Sequence, residues 1–334
     1  MTLGTSVPKM IRVSIGSAIV LRLANGNLDA LPTTVYLLTY RKNKCTANCA
    51  FCPQARNSTS RADMLSRVSW PLFKTAQVAD RIEAAAGNGK AKRVCIQALN
   101  YPGVFDDVLS IVSIIRSKCT VPISVSCQPV TTETMKKLAE AGVDRVGIPL
   151  DAANEEIFDK VKGQPAEGPY SWKKQLQTLA EAVQVFGKGN VSTHLIVGLG
   201  ESEEDMVSAV QRCVDMGVCP GLFAFTPVSG TALESVASPP IDRYRRVQLA
   251  RYLIVEGKTK YENVRFDGDG RINDFGIAHK VLERVIMTGF PFLTSGCPDC
   301  NRPYYNEKPG GPMYNYPCVP TDEDLQQVKK GFKC

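Results

Sequence analysis

The chain has 334 residues, 44% hydrophobic and 22% charged, with 40 Lys and Arg against 33 Asp and Glu for a net charge of +7. This is ordinary for a soluble globular protein, and the length suits one α/β barrel. The basic residues are scattered and no apolar run reaches membrane-spanning length, so neither a nucleic-acid nor a membrane partner is expected; most of the charge reads as solvated helix faces, with a docking face for an acidic protein domain as a further use of it.

In chain order, residues 1–30 form a mixed lead-in with a short helix at 15–23 and no secretory signal pattern. Short β-branched runs then alternate with amphipathic stretches. Strands are expected at 34–40, 93–99, 123–127, 145–150, 191–197 and 222–227, with weaker ones at 263–266 and 290–293. Helices are expected at 70–86, 104–117, 131–141, 170–186, 203–216 and 242–256. Thr131 and Ser202 read as helix starts and Gly142 as a stop. Alternation of this kind implies right-handed βαβ units and a parallel sheet. The expected fold is therefore α/β: a (β/α) TIM-type barrel, closed or partly open, over residues 31–295. Residues 296–334, with six prolines and four cysteines, form an irregular C-terminal extension.

Twelve cysteines are many. Three stand as Cys45-x-x-x-Cys49-x-x-Cys52 directly after the first expected strand, where a barrel places its chemistry. Three soft thiolates on one short loop can hold three irons of a four-iron cluster and leave the fourth open to a small molecule. Phe51 adds an apolar ring beside that position. A zinc site prefers four ligands, commonly in paired C-x-x-C elements, and no fourth ligand lies nearby. Close ligand-like spacing points to metal binding and not to disulfides, so a reducing, cytoplasmic location is expected. With two histidines in the chain, hydrolysis by a catalytic triad is not expected.

The run from Lys44 to Arg56 resembles the signature of the radical S-adenosylmethionine (SAM) superfamily. The resemblance implies that the open iron binds SAM and that an electron from the cluster cleaves it to methionine and a 5′-deoxyadenosyl radical, which abstracts a substrate hydrogen. Over roughly residues 35–275 the chain is similar to biotin synthases in particular. That similarity implies SAM contacts from Phe51, Gln97, Asp151, Ile196 and Val197, with Asp151 on the ribose and the glycine-rich strand at 196–201 under the adenine. The competing reading of Asp151 is a helix cap, and His194 suits a donor to SAM or substrate and a hydrogen-bonded barrel histidine equally.

The departures from biotin synthases are informative. Those enzymes hold a second, two-iron cluster with three cysteines and an arginine. Cys95 and Cys127 match two of the cysteines and Arg265 the arginine, but Ser192 stands where the third cysteine belongs, and Pro149 replaces a polar active-site residue. The tail offers another thiol set: Cys297 and Cys300 at chelating spacing, with Cys318 and Cys334 further on. It suits an auxiliary four-iron cluster, with zinc the competitor and with Cys95 or Cys127 able to replace Cys334. Tyr304, Tyr305 and Asn306 are candidates for the substrate opening.

A biotin-synthase-like barrel with such a tail resembles the archaeal-type lipoyl synthases, which work as paired proteins. The resemblance implies thiolation of C6 or C8, or both, of an octanoyl chain on a lipoyl-carrier protein or domain, with a sister radical SAM protein and an electron donor as partners. A biotin-synthase-like enzyme acting on a free small molecule is the alternative, and an iron–sulfur electron carrier the non-enzymatic one. Replacing Cys45, Cys49 and Cys52 together with alanine is expected to abolish 5′-deoxyadenosine formation and leave one cluster; 5′-deoxyadenosine from that variant under anaerobic reduction refutes the assignment.

Overall fold

The computed structural model describes residues 8–307 and 310–332. Its centre is an eight-stranded sheet. In chain order the early strands are β1 (Met10–Val13) and β2 (Thr34–Leu38), then the small hairpin β3 (Met64–Leu65) and β4 (Val68–Ser69), then β5 (Leu72–Lys74). The rest of the sheet is β6 (Arg93–Gln97), β7 (Ile123–Ser126), β8 (Arg145–Gly147), β9 (Val191–Val197) and β10 (Val218–Ala224). The spatial order is β10-β9-β8-β7-β6-β2-β1-β5. The six strands from β2 to β10 run parallel, whereas β1 is antiparallel to β2 and β5 to β1. The barrel is thus partly open, since β10 and β5 are the two ends of the sheet and do not pair.

Helices cover the outside: α1 (Ile15–Val20), α2 (Thr75–Gly87), α3 (Val104–Arg116), α4 (Thr132–Glu140), α5 (Glu155–Lys162), α6 (Trp172–Phe186), α7 (Glu203–Asp215), α8 (Ile241–Val255), α9 (His279–Met287) and α10 (Asp322–Gly331). Their apolar stripes make the core. In α3 the buried set is Val104, Val108, Ile111, Val112 and Ile115, a helical repeat facing the sheet. The capping signals act as expected: Thr131 accepts from Thr134 N at 3.2 Å, and Ser202 and Asp205 form a capping box. Gly142, at φ +94°, ends the turn after α4.

Several expectations are corrected. The lead-in contributes β1 to the main sheet, and its helix stops at Val20. Residues 72–74 form β5, so the helix expected at 70–86 begins at Thr75. The weak strand at 263–266 is a 3-10 turn followed by β11 (Arg265–Phe266), which pairs only with β12 (Ile272–Asp274) away from the barrel. The one at 290–293 is a 3-10 turn over Phe290–Phe292, where Pro291 favours a tight turn over a ladder.

The segment after this turn is seated in the gap of the barrel. On one side Ser295 Oγ accepts from Leu222 N of β10 at 2.8 Å. On the other, Thr33 N donates to Asn301 Oδ1 at 3.0 Å, and the Tyr36 hydroxyl of β2 accepts from Arg302 N at 3.2 Å. Further along, Thr226 Oγ1 donates to Asn306 O. The extension therefore bridges β10, an end strand of the sheet, and β2 on the far side of the barrel.

Candidate active site

The loop after β2 is held by its own polar groups. Lys44 Nζ donates to the carbonyls of Pro53, Ser58 and Ser60 at 2.8, 2.7 and 2.7 Å. Successive turns close through Cys52 N to Cys49 O, Ala55 N to Cys52 O and Arg56 N to Ala47 O. Asn48 Nδ2 reaches Ala166 O at 2.9 Å and Ala50 N reaches Val161 O at 2.8 Å, tying the loop to α5 and the turn beyond it. Asn100 N donates to Cys45 Sγ at 3.2 Å. Burial pushes the Cys49 thiol up to about 12 and Cys52 higher still. Such buried thiols ionise when a cation is there to receive them.

Cys45, Cys49 and Cys52 line a cavity of about 240 Å³ inside the barrel, together with Phe51, Gln97, Asp151 and Ile196. Val197 does not line it. The alternation of β9 turns Ser192, His194 and Ile196 inward and leaves Val197 in the outer core, 0% exposed. Asp151 is not a cap; Asn154 caps α5 by accepting from Ile157 N at 3.0 Å. Asp151 sits at φ +66°, bridges Leu195 of β9, and pairs with Lys162 Nζ at 2.7 Å. Lys162, 0% exposed, also donates to Pro149 O at 2.8 Å and lies over the Tyr170 ring. A lysine in the apolar stripe 157, 158, 161, 162 of α5 was the available signal for this partner, and sequence reasoning missed it. After β9, Gly198 at φ +108° is pressed against Pro239 and Phe225, and Glu201 accepts from Gly198 N and Leu199 N at 2.7 and 2.9 Å.

The same cavity receives the tail. Cys297, Cys300, Arg302, Tyr305 and Asn306 line it, as do Cys95, Cys127, Ser192 and Pro149. Cys318 is exposed and does not line it; Cys334 lies outside the described residues. Arg265, which the similarity to biotin synthases matched to a cluster ligand, is exposed on β11, and Arg302 is the arginine in the cavity. Arg302 stacks on Phe223 at 3.8 Å; burial works against its charge, but Cys300 and nearby tyrosines raise its pKa overall. Trp70 is not on a helix: it is 1% exposed and, with Leu38, Leu65 and Leu99, makes an apolar wall. Trp172 packs edge-on against Phe158 and His279 is surface-exposed.

Thiolates in this pattern fit iron–sulfur chemistry. Among the described residues no three His, Cys, Asp or Glu side chains gather tightly enough for a single ion. The thiols instead border an open volume, as the ligands of a multi-iron cluster must, because the cluster occupies the space between them.

Residues 40–213 match the radical SAM superfamily, and the chain belongs to that superfamily, whose chemistry requires a four-iron cluster and SAM. Within it the chain is similar to biotin synthases. It is 29% identical over 201 residues to that of Sulfurihydrogenibium sp., across 59% of this chain and 56% of the relative, so this match spans little more than half the relative's length. It is 24% identical over 278 residues to that of Picosynechococcus sp., across 78% and 70%. Two solved structures share the fold: methylornithine synthase, with a TM-score of 0.51 at 15% identity over 72% of this chain and 67% of that one, and a maturase of the FeFe-hydrogenase, with 0.50 at 13% identity over 89% and 69%.

Two measurements check this geometry. Lys162→Met leaves the Asp151 carboxylate buried without its cation, and is expected to lower stability by about 3–5 kcal/mol in denaturant unfolding. His194 lies against Phe223, and burial lowers its pKa from 6.5 to about 4, so it is neutral in the folded chain. The unfolded chain takes up that proton first as pH falls below 6.5, so stability is lost between about pH 6.5 and 4. Urea unfolding across that window is expected to show a shallower pH slope for His194→Gln than for the wild type; equal slopes refute a neutral, buried His194.

Proposed function

We propose that the protein is a sulfur-inserting radical SAM enzyme, a lipoyl synthase component that thiolates C6 or C8, or both, of an octanoyl chain carried on a protein lysine. The observation that carries this reading is a single cavity with one thiol set on the loop above the strand ends and another brought in by the tail. Cys45, Cys49 and Cys52 would hold the SAM-binding cluster, and the tail thiols an auxiliary one. When bound, a four-iron cluster and SAM supply a radical able to take hydrogen from an unactivated C–H bond, which offers a side chain no acid–base handle.

The chain's own residues supply position and dryness. Leu38, Leu65, Trp70, Leu99, Phe223 and Tyr305 make the walls apolar, and each methylene buried there contributes about 0.8 kcal/mol. Asp151, held by Lys162 at 2.7 Å, offers two acceptor oxygens suited to vicinal hydroxyls such as those of a ribose. Ile196 offers a flat apolar surface beside it. The remaining partners are the octanoylated carrier, a sister radical SAM protein and an electron donor. Among the described residues no helix is long and apolar enough to cross a membrane.

The second reading is a biotin-synthase-like enzyme acting on a free small molecule. The curated relatives favour it, and so does the presence of Cys95 and Cys127 in the cavity. Ser192 in place of a thiol and the outward position of Arg265 weigh against it. Anaerobic incubation with SAM, a reductant and an octanoyl-lysine carrier peptide, with and without a sister protein, separates the two. Mass spectrometry is expected to show a gain of one or two sulfurs on the peptide and none on free octanoate or dethiobiotin. Conversion of dethiobiotin to biotin, with the peptide unchanged, refutes the lipoyl reading.

A further inference from the structure

The register of the parallel strands places Tyr36 of β2, Cys95 of β6 and Ser124 of β7 side by side in one layer. The two flanking members of that layer each meet a tail thiol. The Tyr36 hydroxyl is 3.2 Å from Cys300 Sγ, and Ser124 Oγ is 3.7 Å from Cys297 Sγ. Cys95, between them, is thereby set between the two tail cysteines, and all three thiols line the cavity. The arrangement is anchored from below: Arg93 Nε donates to Pro298 O at 3.2 Å and Arg93 Nη1 to Ser124 Oγ at 3.1 Å. Gln97 Nε2 donates to Cys95 Sγ at 3.1 Å from above. Among the described residues Cys127 Sγ makes no such contact with a tail cysteine, and Cys318 is exposed outside the cavity.

We propose that the auxiliary iron–sulfur cluster is held by Cys95 of the barrel together with Cys297 and Cys300 of the tail, a ligand set shared between two parts of the chain, and that Cys127 and Cys318 are not ligands. The proposal rests on the second cluster of the preceding section. Arg302, the one lysine or arginine among the described residues lining the cavity, brings a positive charge to a centre that three thiolates make anionic. Of the sets that the sequence offers, it keeps Cys95 beside the tail pair and drops Cys318. It draws on the barrel cysteine that matches biotin synthases, yet its other two thiols come from the extension. The cluster would then cross-link the tail to β6, closing from inside the gap that strand pairing leaves open.

The test uses the full chain with Cys45, Cys49 and Cys52 replaced by alanine, so that only the auxiliary site can load. After anaerobic reconstitution with iron and sulfide, this background is expected to carry about four irons per chain, with the Mössbauer signature of one cluster. Adding Cys95→Ala or Cys95→Val, neither of which can ligate iron, is expected to cut the iron content at least threefold, while Cys127→Ala and Cys318→Ala leave it unchanged. Far-UV circular dichroism of the metal-free variants checks folding, and Cys95→Val, which leaves no cavity, decides if Cys95→Ala is misfolded. Full iron in a folded Cys95→Val variant, or loss of iron with Cys318→Ala or Cys127→Ala, overturns the ligand set alone. A background that binds no iron, or binds zinc in its place, removes the second cluster and the ligand set together.

Discussion

The eight-stranded sheet does not close on itself: β10 and β5 do not pair, and β10 is left with one hydrogen-bonded neighbour. An unpaired edge inside a protein has backbone groups to satisfy and an open side to cover. Here the cover is the segment from Ser295 to Glu307. It takes the Leu222 amide of β10, the Thr33 amide before β2 and the hydroxyl of Thr226. Pro220 within β10 suits such an edge, since it has no N–H to leave unpaired. The same segment carries Cys297, Cys300 and Arg302 into the interior.

The other end of the cavity depends on a second constraint, the buried pair of Asp151 and Lys162. A buried charge is tolerable when paired and hydrogen-bonded. Lys162 meets both conditions through Asp151 and the Pro149 carbonyl, with Tyr170 over its charge. Ala50 N bonds to Val161 O in the same turn of α5, so the cysteine loop, Asp151 and β9 are held as one unit. The position of the Cys45, Cys49 and Cys52 thiols relative to Asp151 is therefore built into the barrel and not left to a mobile loop.

Much of this was legible from local pattern. Strand–helix alternation, the caps at Thr131 and Ser202, the stop at Gly142 and the thiol triplet after the first parallel strand all depend on residues close in sequence, where propensity and spacing act directly. The failures came where local signals compete or fall silent. Residues 72–74 carry enough apolar side chains to suit either state, and pairing with β1 made them extended. Phe290 to Leu293 look like a strand until Pro291 tightens them into a turn.

By itself the sequence determined the α/β class, the three-thiolate loop and the chelating pair at 297 and 300, because each is a matter of residue type and short spacing. Only the tertiary structure decided which of these thiols share a cavity, that Arg302 and not Arg265 stands beside them, that Lys162 holds Asp151, and that Cys318 stays outside. Those relations join residues that are mostly far apart in the chain. They are set by strand register, by the missing strand pair between β10 and β5, and by the path the tail takes to fill it, none of which leaves a mark at the positions themselves.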